Sequence, residues 1–302
     1  HGPLNPQVAR FLQEQAALGA PPLEALPVDQ ARRANAEAKR RWCGPLLPVA
    51  RSWDVQIDGP GGPLALRIHH PYAAGTRPAL VYFHGGGWVL GDLDTHDPLC
   101  RALAHAADCV VVAVDYRLAP EHPFPAAVED AEAAVKWAAA HLAEFDGDPA
   151  RLAVGGDSAG GTLATVAARR LRGAVPLAHQ ALVYPVADLT SLDTASYRDF
   201  AEGHLLTRAE MAGFKRLYLS DPDQAAHPAA SPLRAPDLSG LAPALVLTAE
   251  FDPLRDEGEA YAARLKEAGV HVECVRAAGM VHGFLTLANA VDDAAEGVRR
   301  WA

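Results

Sequence analysis

The feature that most constrains the fold of this chain is the alternation of short apolar runs with helical patterns. The runs CVVVAV at 109–114 and ALVLTA at 244–249 are continuously apolar, which is typical of strands covered on both faces. Such alternation predicts an α/β fold with a mostly parallel sheet and helices on both of its faces. Strands are expected near 52–57, 64–69, 79–83, 109–114, 151–155, 180–186, 244–250 and 271–276, and helices at 125–144, 158–172, 256–268 and 287–301.

Two regions interrupt this alternation. Residues 1–50 have helical patterns broken by prolines, and residues 187–240 also lack a clear strand. The second region lies between two strongly predicted strands. It is therefore expected to be a helical insertion over the carboxyl edge of the sheet, where α/β proteins bind their ligands.

Composition excludes several classes of function. The formal net charge of −10 argues against a nucleic-acid surface. The four cysteines form no C-x-x-C pair, which indicates reduced thiols and a cytoplasmic location. No apolar run approaches the ~18 residues of a transmembrane helix, and no apolar core of a signal peptide is found near the N-terminus. The thirteen histidines include no H-E-x-x-H spacing, so no metal site is expected.

A serine lies in the sequence GDSAG at 156–160, which matches G-x-S-x-G. The motif follows a predicted strand and precedes a predicted helix, as a nucleophile elbow requires. Glycines on both sides of Ser158 permit a tight turn. The alternative is a glycine-rich turn whose serine only caps the helix.

A run of three glycines follows His84 directly after a predicted strand. The spacing G-x-G-x-x-G of a dinucleotide loop fails because Leu90 stands where the third glycine would be, and a phosphate loop would need a lysine that is absent. Bare backbone N–H groups are instead what an oxyanion hole requires, in combination with the N–H of Ala159. The alternative is a flexible loop without a role in chemistry.

The remaining catalytic groups should follow the serine in the order acid, then histidine. Asp252 comes just after the strand at 244–250 and is the favoured acid, with Glu250 as its rival. Asp256 and Glu257 fall in the first turns of the next helix, where a capping or dipole role suffices. His282 follows the last predicted strand and is the favoured base. His271 lies inside that strand and His179 precedes another, so both are expected to be structural or surface residues.

Taken in order, these motifs resemble the hormone-sensitive-lipase-like esterases, also called bacterial family IV carboxylesterases, of the α/β-hydrolase fold. The resemblance rests on HGGGW at 84–88, DYRLAPEHPFP at 115–125, GDSAGG at 156–161, DPLRD at 252–256 and HGF at 282–284. It implies Ser158 as nucleophile, His282 as base and Asp252 as the orienting acid. It also implies oxyanion donors at Gly86, Gly87 and Ala159, with Gly85 nearby. His84 and the segment 115–125 would be scaffold.

The resemblance further implies a helical cap built from residues 1–50 and 187–240. The catalytic core would then comprise residues 51–186 and 241–302. Four apolar residues are candidates for an acyl pocket, with ordinary packing as the alternative for each: Trp88, Leu206, Met211 and Phe214.

The expected activity is hydrolysis of short- to medium-chain carboxylic esters, without cofactor or metal. One alternative is an amidase similar to arylacetamide deacetylases. Another is a non-catalytic small-molecule receptor on the same fold, which the presence of His282 opposes. The expected partner is a small ester, with a homodimer left open, and neither nucleic acid nor a stable membrane association is expected.

Overall fold

The computed structural model describes residues 2–72 and 74–301. Its strands are β1 (Arg51–Gly59), β2 (Gly62–His70), β3 (Arg77–Phe83), β4 (Val110–Val114), β5 (Gly147–Asp157), β6 (His179–Val183), β7 (Ala244–Phe251) and β8 (Val272–Val281). Its α-helices are α1 (Pro6–Leu18), α2 (Val28–Trp42), α3 (Leu93–Ala106), α4 (Ala126–His141), α5 (Ala159–Arg170), α6 (Ala195–Asp199), α7 (Arg208–Tyr218), α8 (Arg255–Glu267) and α9 (Asp293–Trp301). Short 3₁₀ helices lie at Leu23–Ala25, Leu142–Phe145, Pro222–Ala226, Pro232–Arg234 and Phe284–Thr286.

The strands of the described residues form one eight-stranded sheet in the order β1-β2-β4-β3-β5-β6-β7-β8. β1 and β2 form an antiparallel hairpin, and β2 also pairs antiparallel with β4. All later neighbours pair in parallel. The predicted α/β class with a mostly parallel sheet is therefore confirmed.

The core has two layers because successive strand residues point to opposite faces of the sheet. Val81 and Phe83 of β3 join one apolar cluster, and Leu80 and Tyr82 join the other. Every residue of β4 and β7 is buried, which agrees with their continuously apolar sequences. Helices therefore cover both faces of the sheet, and the loops at its edges are the places left for a site.

The structure adds one helix to the expected elements and shifts the ends of others. Helix α3 was not predicted, although Asp92 and Thr95 form a reciprocal capping box at its start. The strand expected at 271–276 runs from Val272 to Val281, so His271 lies just before it. His179 is the first residue of β6. The helix expected from 287 begins only at Asp293, after a 3₁₀ turn.

The two regions without strand patterns contain only helical elements and loops among their described residues. Residues 2–50 include α1 and α2, and residues 187–240 include α6 and α7. Leu26 and Val28 of the first region and Phe214 and Leu217 of the second line one crevice. Thus the two regions meet in space, although the 136 residues from 51 to 186 separate them along the chain.

None of the helices described in residues 2–72 and 74–301 combines the length and the apolar character needed to cross a membrane.

Candidate active site

Three predicted site residues lie where parallel strands end. Ser158 follows β5 directly, Asp252 follows β7, and His282 follows β8. Carboxyl ends of parallel strands meet at one edge of a sheet, so side chains that are far apart in sequence are brought together. The extra length of β8 places His282 immediately at this edge.

Ser158 occupies a strained turn between β5 and α5. Its backbone has φ 55° and ψ −121°, a conformation that side-chain-bearing residues rarely adopt. Its N–H donates to the carbonyl oxygen of Val183 over 2.9 Å, which holds the turn against β6. A Cβ at Gly160 would overlap the carbonyl oxygen of Phe83, so the close approach of α5 to β3 requires glycine there.

A chain of hydrogen bonds joins the three side chains. His282 Nε2 lies 2.9 Å from Ser158 Oγ, and His282 Nδ1 lies 2.8 Å from Asp252 Oδ2. Because a carboxylate only accepts hydrogen bonds, Nδ1 carries the proton and Nε2 is free to accept from the serine hydroxyl. The backbone N–H of Leu254 donates to the other carboxylate oxygen, Asp252 Oδ1, over 2.8 Å. Both oxygens of this fully buried acid are thus in use.

The rival acids have other partners. Glu250 accepts from the N–H groups of Gly2 and Gly279, each over 2.8 Å. Asp256 accepts from Ser196 N, and Glu257 accepts from Ala187 N. These carboxylates tie loops together around the site, and none of them contacts His282.

The glycine loop is fastened to the serine turn through Asp157. The N–H of Gly85 donates to Asp157 Oδ1 over 3.0 Å, so this amide is occupied within the protein. This finding corrects the inclusion of Gly85 among the oxyanion donors. In the described part of the chain, by contrast, the N–H groups of Gly86, Gly87 and Ala159 donate to no other protein atom. Gly86 has φ 125°, and a Cβ there would overlap the carbonyl oxygen of Leu90.

Asp157 is a buried carboxylate with several polar neighbours. The Tyr82 hydroxyl donates a short hydrogen bond to it, and His96 Nε2 lies 3.6 Å from Oδ1. Burial alone would raise the pKa of this carboxyl, but the nearby His96, together with Lys39 and the Tyr82 hydroxyl, holds it well below its usual range. Asp157 therefore remains an anion on which Gly85 can anchor.

His84 lies beneath the glycine loop and has no contact with Ser158. Its ring stacks on Tyr116 with centroids 4.3 Å apart, and the Tyr116 hydroxyl donates to the His84 carbonyl oxygen over 2.7 Å. Burial, with a smaller effect of the neighbouring His96, lowers the pKa of His84 to about 4. These contacts fit the predicted scaffold role of His84 and of the segment 115–125.

The four candidates for an acyl pocket occupy different environments. Trp88 is completely buried and stacks on Tyr218 with centroids 4.1 Å apart, so it belongs to the packing under the loop and not to a pocket wall. Met211 and Leu206 are also buried. Phe214 packs against Gly87, where a Cβ would overlap its ring. Of the four, Phe214 therefore lies at the surface of the glycine loop.

A crevice that is partly open to solvent lies beside the glycine loop. It is lined by residues of the two helical regions at 2–50 and 187–240, together with Val89 and Leu90. Phe214 belongs both to this crevice and to the packing against Gly87. The walls also carry charged side chains, Glu24, Glu210 and Arg216. Burial raises the pKa of Glu210.

Sequence reasoning missed several residues that support the site. Asp157, Tyr82 and His96 were not singled out, although Asp157 adjoins the serine in the motif and a buried aspartate beside a nucleophile is a signal. Tyr184, which lies against His282, carries no motif at all. Over residues 2–72 and 74–301, no cluster of three or more histidine, cysteine, aspartate or glutamate side chains is arranged to hold a metal ion.

The strand order and the position of the serine turn define this protein as an α/β hydrolase. Residues 80–286 match a protein family described as alpha/beta hydrolase fold. The chain is 46% identical over 297 residues to the carboxylic ester hydrolase LipN of Mycobacterium tuberculosis, a match that covers 94% of this chain and 77% of that protein. It is 38% identical over 306 residues to an ethyl acetate hydrolase of Pseudomonas putida, with 98% and 96% covered.

A solved structure agrees with these relatives. The esterase of the archaeon Pyrobaculum calidifontis superposes with a TM-score of 0.93 at 43% identity, covering 99% of this chain and 96% of that one. The chain belongs to the α/β-hydrolase family of the hormone-sensitive-lipase type, as its motifs predicted. It is therefore an enzyme, and the alternative of a non-catalytic receptor is set aside.

Proposed function

We propose that this enzyme is a carboxylesterase that hydrolyses short- to medium-chain esters through an acyl-enzyme on Ser158. The observation that carries the proposal is the hydrogen-bonded chain from Ser158 through His282 to Asp252, with distances of 2.9 and 2.8 Å. Its support also includes relatives that are named ester hydrolases.

The reaction has two halves. His282 takes the proton of Ser158 as the hydroxyl oxygen attacks the ester carbonyl, and then gives it to the leaving alcohol. Asp252 holds the imidazole in the required tautomer and stabilises its cation. Water, activated by the same histidine, then attacks the acyl-enzyme and releases the acid.

Negative charge that develops on the carbonyl oxygen needs preorganised donors. The N–H groups of Gly86, Gly87 and Ala159 are proposed for this role, because all three are free of other protein acceptors and lie at the two sides of the serine turn. Asp157 joins the two sides through its bond to Gly85. The loop is thus held in place before the substrate arrives.

The limit to short or medium acyl chains rests on the crevice beside Phe214. Glu24 and Glu210 line it together with apolar residues. A long alkyl chain laid in this crevice would exclude water from the charged side chains that line it, and removing charged groups from water is costly. Chains that stop before them avoid that cost.

Ser158→Ala tests the mechanism. Loss of the nucleophile should lower kcat on p-nitrophenyl acetate and butyrate by on the order of 10⁶-fold. An organophosphate should label the wild type at Ser158 and inhibit it completely, with the adduct located by peptide mass spectrometry.

A panel of p-nitrophenyl esters of increasing length tests the substrate range and should show declining kcat/KM beyond medium chains. A matched anilide should react far more slowly than its ester.

The chain offers a matched control. Ser52 Oγ lies 3.0 Å from His69 Nδ1, and His69 Nε2 lies 3.0 Å from Asp97. This second serine, histidine and aspartate grouping lies on the antiparallel strands β1 and β2 and on helix α3, and none of its members follows a parallel strand as Ser158, Asp252 and His282 do. Ser52→Ala should keep full activity and full labelling. Activity retained in Ser158→Ala, or an adduct at another residue, would refute the proposal.

A further inference from the structure

Tyr184 lies against the imidazole of His282. The two ring centroids are 4.5 Å apart with 56° between the ring planes. On the tyrosine packs Phe284, whose ring centroid lies 6.0 Å from that of Tyr184. Tyr184 is 1% exposed, so its ring is shielded from water. It is the first residue after β6, at the same edge of the sheet as the site.

The backbone at Tyr184 is held in an unusual conformation. Its φ is 32°, in the left-handed region that bulky residues rarely enter. Its N–H donates to the Leu247 carbonyl oxygen over 2.5 Å, and the preceding Val183 accepts from Ser158. Strain of this kind persists where the surrounding structure imposes it, and it is found at functional sites. Here it aims the aromatic ring at the catalytic histidine.

We propose that Tyr184 is a positioning residue that stabilises the imidazolium of His282 formed during proton transfer. This inference rests on the proposed acyl-enzyme mechanism. An aromatic ring attracts a cation that lies over its face within about 6 Å of the ring centroid, most strongly where water is excluded. The ring also packs directly against the imidazole, and this contact restrains rotations that would break its hydrogen bonds to Ser158 and Asp252.

Other charged groups near His282 come from three elements. Asp252 follows β7 and contacts Nδ1, and the charge of Glu210 on α7 interacts with the histidine. Lys39 of α2 donates to Thr286 Oγ1, on the turn that follows His282. Substitutions at Tyr184 leave all three groups in place, so a change in the pH profile reports the loss of the ring.

The test compares Tyr184→Leu with Tyr184→Phe. The leucine variant should lose about tenfold in kcat, equivalent to about 1.4 kcal/mol, with KM changed by less than about twofold. Loss of cation stabilisation favours the neutral imidazole. The acid limb of kcat/KM should therefore move to lower pH by up to about one pH unit. Tyr184→Phe keeps the ring and should match the wild type in both respects.

Rates are normalised to active sites counted by organophosphate labelling, and Tyr184→Met replaces the leucine variant should that one not fold. Tyr261→Leu is the control, since Tyr261 is equally buried but bonds to Thr165 on α5. It should lower stability without moving the pH profile. An unshifted acid limb in the leucine or methionine variant, or a tenfold loss in Tyr184→Phe, would overturn the inference. If Ser158→Ala is inactive but Tyr184→Leu is normal, this inference alone fails.

Discussion

At the scale of single residues, the site depends on buried polar groups whose charge is controlled by their surroundings. Asp157 is kept anionic by His96, Lys39 and Tyr82 despite its burial, and His84 is kept neutral by burial. Both side chains bond to Gly85: its N–H donates to Asp157, and its carbonyl oxygen accepts from His84 Nδ1. The glycine loop is therefore coupled to protonation states that the fold imposes.

His84 predicts a specific pH dependence of stability. The pKa of His84 is about 4 in the folded protein and about 6.5 in an unfolded chain. As the pH falls from 6.5 to 4, the unfolded chain takes up a proton that the folded protein excludes, so stability is lost in this window. The difference between the two pKa values corresponds to a loss of roughly 3 kcal/mol in the free energy of unfolding.

The variant His84→Asn removes this titration and keeps a donor for the Gly85 carbonyl oxygen. Relative to the wild type, its free energy of unfolding in urea should improve by up to roughly 3 kcal/mol between pH 7 and pH 4. Tyr116→Phe removes a hydrogen bond from the same cluster and should give a difference that is constant with pH. A pH-independent difference for His84→Asn would contradict the prediction.

At the scale of elements, helix α2 is bonded to the turn that follows the glycine run at 85–87. Arg32 Nε donates to the Val89 carbonyl oxygen over 2.9 Å, and Nη2 donates to that of Ala119 over 3.0 Å. Both Nη groups also bond to Glu121 at 2.7 Å. One side chain of the N-terminal region thus holds two segments beneath the proposed oxyanion site.

Arg32→Ala should lower kcat/KM on short esters by roughly tenfold, because small displacements of catalytic groups are costly even when the mutation is remote. Arg33→Ala is the matched control on the same helix. Arg33 pairs with Asp29 on the surface, where ion pairs contribute little, and its replacement should leave the rate unchanged. Steady-state kinetics of both variants decide the matter: equal rates in the two would argue against a role for Arg32.

At the scale of the whole molecule, the two-layered core determines how the four cysteines behave. All are free thiols, and Cys43, Cys100 and Cys109 are buried while Cys274 is half-buried. Burial raises the pKa of each thiol, that of Cys109 to about 12. Because the thiolate is the reactive form, the three buried cysteines should be inert until the core opens.

Titration with an aromatic disulfide reagent should therefore label one thiol in the native enzyme and four in denaturant. Cys274→Ser should remove the native reaction and leave three thiols in denaturant. The three late thiols should appear together with the unfolding transition followed by circular dichroism, since a single domain core opens cooperatively. Native labelling of Cys100 or Cys109 would contradict this account of the core.

The sequence by itself determined the fold class, the order of the motifs and the three residues that meet at the sheet edge. Strand periodicity and turn glycines are local properties, and parallel strands bring their carboxyl ends together whatever the details of packing. Tertiary structure decided what depends on contacts between distant segments. It brought the Glu250 carboxylate to the N–H groups of Gly2 and Gly279, and it directed the Gly85 N–H to the Asp157 carboxylate. It also buried Trp88 against Tyr218 and set Tyr184 against His282. No spacing in the chain encodes these partners, because each contact joins residues that only the packed sheet makes neighbours.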